Sequence, residues 1–210
     1  MNKKVHELLV RTITALGMAV IFLGSYFYSP YSFNAFLFLI ISWVLWFEWP
    51  PLCPGKGIEK VLFTLVYPIT PLLALVWIHH QYREINQFIP LYPFILAGAY
   101  DTVAYLVGTF FGTHKIWPSI SPNKSWEGLL GGGIALTGVF YCIHPIMAWN
   151  VFILKAVLFT AAAFFGDLFE SYLKRKKGIK DAANILPGHG GVLDRIDAVL
   201  GVTILFLFCW

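Results

Sequence analysis

Long apolar stretches alternate with short polar ones along almost the whole chain, with the spacing of membrane-spanning helices. A helix needs about 20 mostly apolar residues to cross a bilayer. Seven stretches approach or reach that length: residues 12–29, 32–48, 61–79, 88–111, 128–148, 151–170 and 194–210. The second is short, and the fourth carries Asp101 and several prolines. Pro68, Pro71, Pro90 and Pro93 predict kinks, which a bundle tolerates when neighbouring groups satisfy the freed carbonyls. The run Gly131-Gly132-Gly133 and Gly138 predict helices in close approach. No internal repeat and no low-complexity linker divides the chain. The expected fold is all-α: a polytopic transmembrane helical bundle of about seven spans. Residues 1–210 form one integral-membrane domain, with N-terminal transmembrane helices over 1–100 and the chemistry in 101–210.

Composition agrees with the pattern. The chain is 58% hydrophobic and 12% charged, and a soluble domain carries about twice that charge. The N-terminal "MNKK" with Arg11 and an apolar run has the outline of a signal peptide. The run is long enough to span, however, and no small-x-small cleavage site follows "SYFYSP", so a retained helix is expected. Cys53, Cys142 and Cys209 form no CxxC or Cys/His metal pattern and read as ordinary apolar residues.

Charge placement predicts orientation, because Lys and Arg collect on the cytoplasmic side. With the N-terminus cytoplasmic and seven alternating spans, that side receives Lys3, Lys4, Arg11, Lys56, Lys60, Lys115, Lys124, Lys174, Arg175, Lys176, Lys177, Lys180 and Arg195. Only Arg83 falls outside, with Lys155 near the outer end of span six, where its stem can snorkel. This topology also gathers three polar segments on one face: 113–127, 171–191 and the start of span seven.

The acidic residues are the next signal. Asp101, Asp167, Asp194 and Asp197 lie within or at the margin of apolar segments, where an ionised carboxylate costs several kcal/mol unless paired or metal-bound. Asp194 and Asp197 are i,i+3 and share a helix face. Asp167, Glu170, Ser171 and Lys174 form an i, i+3, i+4, i+7 stripe if span six continues as a helix. One pair alone reads best as a structural ion pair with Lys174 or Arg195. Four carboxylates from three helices beside a basic loop read better as an all-oxygen site for a hard cation such as Mg²⁺.

The loop after span six adds Lys174, Arg175, Lys176, Lys177 and Lys180, a run that by itself is usually a topology anchor at anionic headgroups. That reading suffices for Lys176 and Lys177. "PGHGG" (187–191) allows backbone N–H groups to turn toward an anion, a signal that is weak alone and stronger beside the Asp pair. In "SPNKSWEG" (121–128), Pro122 and Asn123 predict a turn, and Ser125 or Asn123 a cap for the next helix. That helix start, with Lys124 beside it, is also an anion site. A plain capped helix with an interfacial Trp126 explains the stretch equally well.

From Ser171 to Asp197 the chain reads S-x-x-K-R-x4-K-D-x-A-x2-L-P-x-H-G-G-V-x-D-R-I-D. This closely resembles the signature of the phosphatidate cytidylyltransferases, or CDP-diacylglycerol synthases. "DTVAYLVG" (101–108), "SPNKSWEG" (121–128) and "GD" (166–167) resemble further family motifs in the family's order. The resemblance covers roughly the C-terminal half; the N-terminal half matches only as generic membrane helices, as in a compact form with fewer spans. It implies transfer of CMP from CTP to phosphatidic acid with release of pyrophosphate, serving phospholipid biosynthesis. The implied metal ligands are Asp167, Asp194 and Asp197, for Mg²⁺ and a second cation, with Asp181 a weaker candidate. Asp167, Lys174, Asp194 and Asp197 are the implied catalytic residues. Ser171, Arg175, Lys180, His189, Gly190, Gly191 and Arg195 would bind the triphosphate or lipid phosphate, and Asn123, Lys124 and Ser125 a phosphate from the opposite wall. Asp101, with Tyr105 one turn on, would line the same cavity or pair with a lysine. The expected partners are CTP, phosphatidic acid, the lipid bilayer and a second copy as a homodimer, without nucleic acid. The expected location is a bacterial inner membrane with the site facing the cytoplasm.

Four rival readings stand beside this one. A CTP-using lipid kinase would pass on the γ-phosphate instead. A CDP-alcohol phosphotransferase needs a D-G-x2-A-R-x8-G-x3-D-x3-D pattern that is absent here. A transporter would place paired acids near mid-bilayer with access from both sides. An inactive scaffold is disfavoured by the intact signature.

Overall fold

A computed structural model describes residues 3–209, with side chains from residue 9 onward. The side chains of Lys3 and Lys4, part of the predicted cytoplasmic charge, and Trp210, the last residue of the seventh predicted span, lie outside the described residues.

The chain is a helical bundle. α1 (Lys3–Tyr28) leads into α2 (Pro30–Trp43), which continues through a π-helical turn (Val44–Glu48) into the short α3 (Trp49–Leu52). α4 (Ile58–Thr64), a second π turn (Leu65–Ile69) and α5 (Thr70–Tyr82) form the next passage, followed by α6 (Tyr92–Phe110). A hairpin of β1 (Lys115–Trp117) and β2 (Ser121–Ser125) precedes α7 (Trp126–Ile143), α8 (Trp149–Lys176) and α9 (Leu193–Cys209). Among the described residues, six passages are long and apolar enough to cross a membrane: Leu9–Tyr28, Pro30–Leu52, Ile58–Tyr82, Ile89–Phe110, Trp126–Ile143 and Trp149–Lys176. The seventh predicted span is α9, whose described part has 17 residues and is packed inside the bundle. The protein is an integral membrane protein.

Local chemistry explains the helix boundaries. Ser29 caps α2 by accepting from the Ser32 N–H at 3.0 Å, while Ser32 Oγ accepts from the Ser29 N–H, a reciprocal box that satisfies two otherwise orphaned donors. Tyr67, which precedes Pro68, is extended (φ −148°, ψ 116°), as steric conflict with the proline ring favours, and the third passage bends there. The expectation of kinks holds for that segment and fails for Pro90 and Pro93. Those two occupy the first turns of their helices, where a missing N–H costs nothing.

Glycines set the tightest helix contacts. A Cβ on Gly132 would lie 2.7 Å from the Tyr100 ring of α6, and one on Gly131 would lie 2.7 Å from Val107. α6 and α7 therefore meet nearly backbone to backbone. Gly138 does not share this role, since nothing lies within 4 Å of its Cβ position. α8 and α9 meet in the same way: a Cβ on Gly166 would lie 2.6 Å from the Asp197 carbonyl. One apolar core runs through both halves of the chain, from Tyr26 and Phe33 to Leu200 and Phe206.

Among the described residues, a two-stranded hairpin and an isolated bridge between Leu186 and Gly190 depart from the helical pattern. Pro122 and Asn123 lie in β2 rather than in a turn; the reversal falls before them, between Trp117 and Ser121, which face each other across the strands. The predicted capping role goes to Ser125, whose hydroxyl accepts from the Gly128 N–H at 3.2 Å.

Candidate functional site

At the end of the bundle that carries the hairpin, a cavity of about 570 Å³ opens between α6, α8, α9 and β2. α6 contributes Asp101 and Tyr105 to its wall, β2 contributes Asn123, Lys124 and Ser125, and α8 contributes Asp167 and Lys174. Asp181 comes from the following loop, and Asp194, Arg195 and Asp197 from the first turns of α9. α8 continues helically to Lys176, so the i, i+3, i+4, i+7 stripe from Asp167 to Lys174 does form. Asp101, Asp167, Asp194 and Asp197, from three helices, all line this one cavity.

The charges are cross-linked. Lys174 Nζ donates to Asp194 Oδ1 at 2.6 Å and lies 3.4 Å from Glu170 Oε1. Lys124 pairs with Asp167 across the cavity, its ammonium group 5.2 Å from the centre of the Phe164 ring. Ser171 Oγ donates to Asp167 Oδ1 at 3.3 Å. Asp197 is buried and accepts from the Ala198 N–H at 2.7 Å. Five carboxylates line this wall against three cationic side chains. Glu170, fully buried behind them, has no hydrogen-bond partner for either oxygen among the described residues.

The glycine loop points elsewhere than expected. Gly188 (φ 74°) and Gly190 (φ 83°) adopt left-handed conformations that suit glycine. The N–H of Gly191, however, donates to Asp194 Oδ2 at 2.7 Å rather than facing open space. A Cβ on Gly190 would lie 2.7 Å from the same oxygen. The loop thus cradles the chain's own carboxylate. His189, Gly190 and Gly191 are not on the cavity wall; the His189 carbonyl instead accepts from Arg195 Nε at 2.9 Å. Arg175 is also off the wall, exposed, and tied to the hairpin turn through the Ile120 carbonyl at 3.1 Å. Lys180 is exposed and off the wall.

Two features escaped sequence reasoning. Glu48, from the second passage, is fully buried and accepts from the backbone N–H groups of Val192 and Leu193 at 2.8 and 2.6 Å. Its acidity at the end of an apolar stretch was the only available hint. The second is an apolar groove of about 840 Å³ between α7, α8 and the hairpin, with Gly133, Thr160 and Ala161 in its lining. Leu129 and Phe164 belong to both its wall and that of the polar cavity, so the two spaces adjoin.

Among the described residues, no three His, Cys, Asp or Glu side chains gather as closely as an all-protein metal cage requires. Mg²⁺ does not require such a cage, because it is commonly held by one or two carboxylates with substrate phosphates and water. The donor set suits it: hard oxygen ligands only, and an excess of negative charge.

The family model described as "Cytidylyltransferase family" matches residues 53–210. The phosphatidate cytidylyltransferase of Haemophilus influenzae is 43% identical over 138 residues, covering 62% of this chain and 47% of that protein. Those of Staphylococcus aureus and Staphylococcus haemolyticus are 46% and 41% identical over 118 and 117 residues, each match covering 53% of this chain and 45% of the relative. The chain thus spans about half the length of the curated relatives it matches.

Proposed function

The chain belongs to the cytidylyltransferase family, and from that premise we propose that it transfers CMP from CTP to phosphatidic acid, yielding CDP-diacylglycerol and pyrophosphate. The observation that carries this reading is the adjacency of a charged cavity and an apolar groove through Leu129 and Phe164. A ligand with a phosphate head and acyl tails fits such a pair of spaces, and a water-soluble nucleotide reaches the polar one from the aqueous side. The basic residues near the cavity support a mouth that faces the cytoplasm, as the positive-inside tendency of a bacterial inner-membrane protein would have it.

The reaction exchanges one bond for another at phosphorus. A phosphate oxygen of the lipid bonds to the α-phosphorus of CTP as the bond to the β-bridging oxygen breaks, and pyrophosphate leaves with that electron pair. The lipid phosphate is already anionic, so positioning and charge neutralisation carry the catalysis and no strong general base is needed. Lys124 and Lys174 hold positive charge on opposite walls and can shift from Asp167 and Asp194 to incoming phosphate oxygens. One or two of Asp167, Asp194 and Asp197 would hold Mg²⁺ together with substrate phosphates and water, and the bound ion would neutralise phosphate charge.

The test uses the purified protein in mixed micelles with phosphatidic acid and Mg²⁺. CTP labelled at the α-phosphate is compared with CTP labelled at the γ-phosphate, and label is followed into lipid. Cytidylyl transfer predicts lipid label from the α position only, lost on chelation. Label from the γ position would identify a kinase instead.

A further inference from the structure

The geometry assigns Glu48 a positioning role: it fixes the backbone at the start of α9 so that Asp194 is held in the cavity. This inference rests on the proposed cytidylyl transfer for its catalytic consequence. Glu48 also precedes the segment that matches the family.

The first N–H groups of any α-helix have no partner within the helix and need one elsewhere. At α9 (Leu193–Cys209) two carboxylates serve the Leu193 N–H, the first of the helix, and the N–H groups of Gly191 and Val192 that lead into it. Asp194 takes the Gly191 N–H at 2.7 Å from within the same segment. Glu48 takes the Val192 N–H at 2.8 Å with Oε1 and the Leu193 N–H at 2.6 Å with Oε2, from 144 and 145 residues away. A negative group here also complements the positive end of the helix dipole. Glu48 is itself oriented: Trp43 Nε1 donates to its Oε1 at 2.8 Å, and the Trp43 ring stacks on Phe47 with centroids 4.4 Å apart. The π turn Val44–Glu48 carries this carboxylate into the bundle. Gly191 completes the fit, because a Cβ there would lie 2.9 Å from Glu48 Oε2.

Asp194 follows Leu193 directly. Its carboxylate receives Lys174 at 2.6 Å and the Ala182 N–H at 3.0 Å, contacts that depend on where the helix begins. Glu48 is not on the cavity wall, and among the described residues it accepts hydrogen bonds from Trp43 and from the Val192 and Leu193 N–H groups. Its influence on chemistry must therefore pass through the 191–193 backbone.

The test compares the parent with Glu48→Gln and Glu48→Asp in micelles. Amide hydrogen exchange over residues 188–196, the melting temperature, and kcat and KM for CTP are all measured. Glutamine keeps the volume but presents an NH₂ group to one of the two N–H donors. The expected result for Glu48→Gln is a kcat lower by roughly 10- to 100-fold, the size of loss that misplacement by about 1 Å produces. KM for CTP should stay within about threefold and exchange should accelerate at Val192 and Leu193 while other helices stay protected. Glu48→Asp, which keeps the acceptor charge, should recover part of kcat and of the protection. Unchanged kcat, or kcat falling only in step with a global loss of protection and melting temperature, would overturn the assignment. If the parent itself makes no CDP-diacylglycerol, the functional reading fails separately. Exchange at Val192 and Leu193 then still decides whether Glu48 holds this backbone.

Discussion

The two ends of the bundle each hold a polar cluster, and the clusters follow opposite rules. At one end, His79 is buried between Asn34, whose Oδ1 lies 2.8 Å from Nδ1, and Arg83, whose Nη1 lies 2.9 Å from Nε2. Arg83 also donates to the Tyr26 carbonyl at 3.1 Å and lies 5.3 Å over the Tyr26 ring. Donors meet acceptors in turn, and the network joins α1, α2 and α5. At the other end, carboxylates outnumber cations around open space, and the buried Glu170 has no hydrogen bond among the described residues and only the Lys174 ammonium group 3.4 Å away as a counter-charge. Satisfied polar groups specify packing, whereas unsatisfied and like-charged ones cost stability and persist where a ligand supplies what is missing. The first cluster is a clasp, and the second is a receptacle.

The sharpest way to break this contrast is Asp194→Asn. Turnover should fall by about 100-fold or more, as for loss of a group that stabilises charge in the transition state, while the melting temperature in micelles stays near that of the parent. Normal activity in a folded Asp194→Asn protein would remove the metal assignment. Arg83→Ala probes the other end. Losing a charged, half-buried donor to the buried His79 should destabilise the protein by about 1–3 kcal/mol in a denaturant titration, with turnover per folded molecule within about twofold. A large catalytic loss from a well-folded Arg83→Ala protein would end the division of labour between the two ends. The smallest effect is expected from Lys176→Ala. This exposed residue lies over the Tyr172 ring at 5.9 Å, a contact worth about 0.5–1 kcal/mol at such sites. Initial rates should match the parent within about twofold, and a larger deficit would move the basic loop from anchor to substrate contact.

How much of this was legible in the chain depended on the range of the interaction. The passages could be read because apolar length is a local property, and the stripe from Asp167 to Lys174 because helical spacing fixes which side chains share a face. Ser125 as a cap was equally local. The hairpin was not legible: its strands are too short for alternation to register, and Pro122 read as a turn. The glycine loop was read as backbone that turns toward a bound anion, and sequence could not say that Asp194 and Glu48 would take these N–H groups. The pairing of Glu48 with Val192 and Leu193 is tertiary and leaves no periodic trace. Arg175, Lys180 and His189 were placed at the site by resemblance and proximity in the chain, yet the fold turns each away from the cavity wall.

The contact between α8 and α9 has a mechanical consequence. Gly166 precedes Asp167 and lies against the carbonyl of Asp197, with no side chain between the two backbones. The two carboxylates hang from helices already at their distance of closest approach, set by hard-core repulsion rather than by any deformable side chain. Such a joint responds in one direction only. Lateral compression by the surrounding bilayer meets a rigid stop, while tension can still pry the helices apart. The gauge of the receptacle therefore has a fixed minimum, independent of the lipids around it.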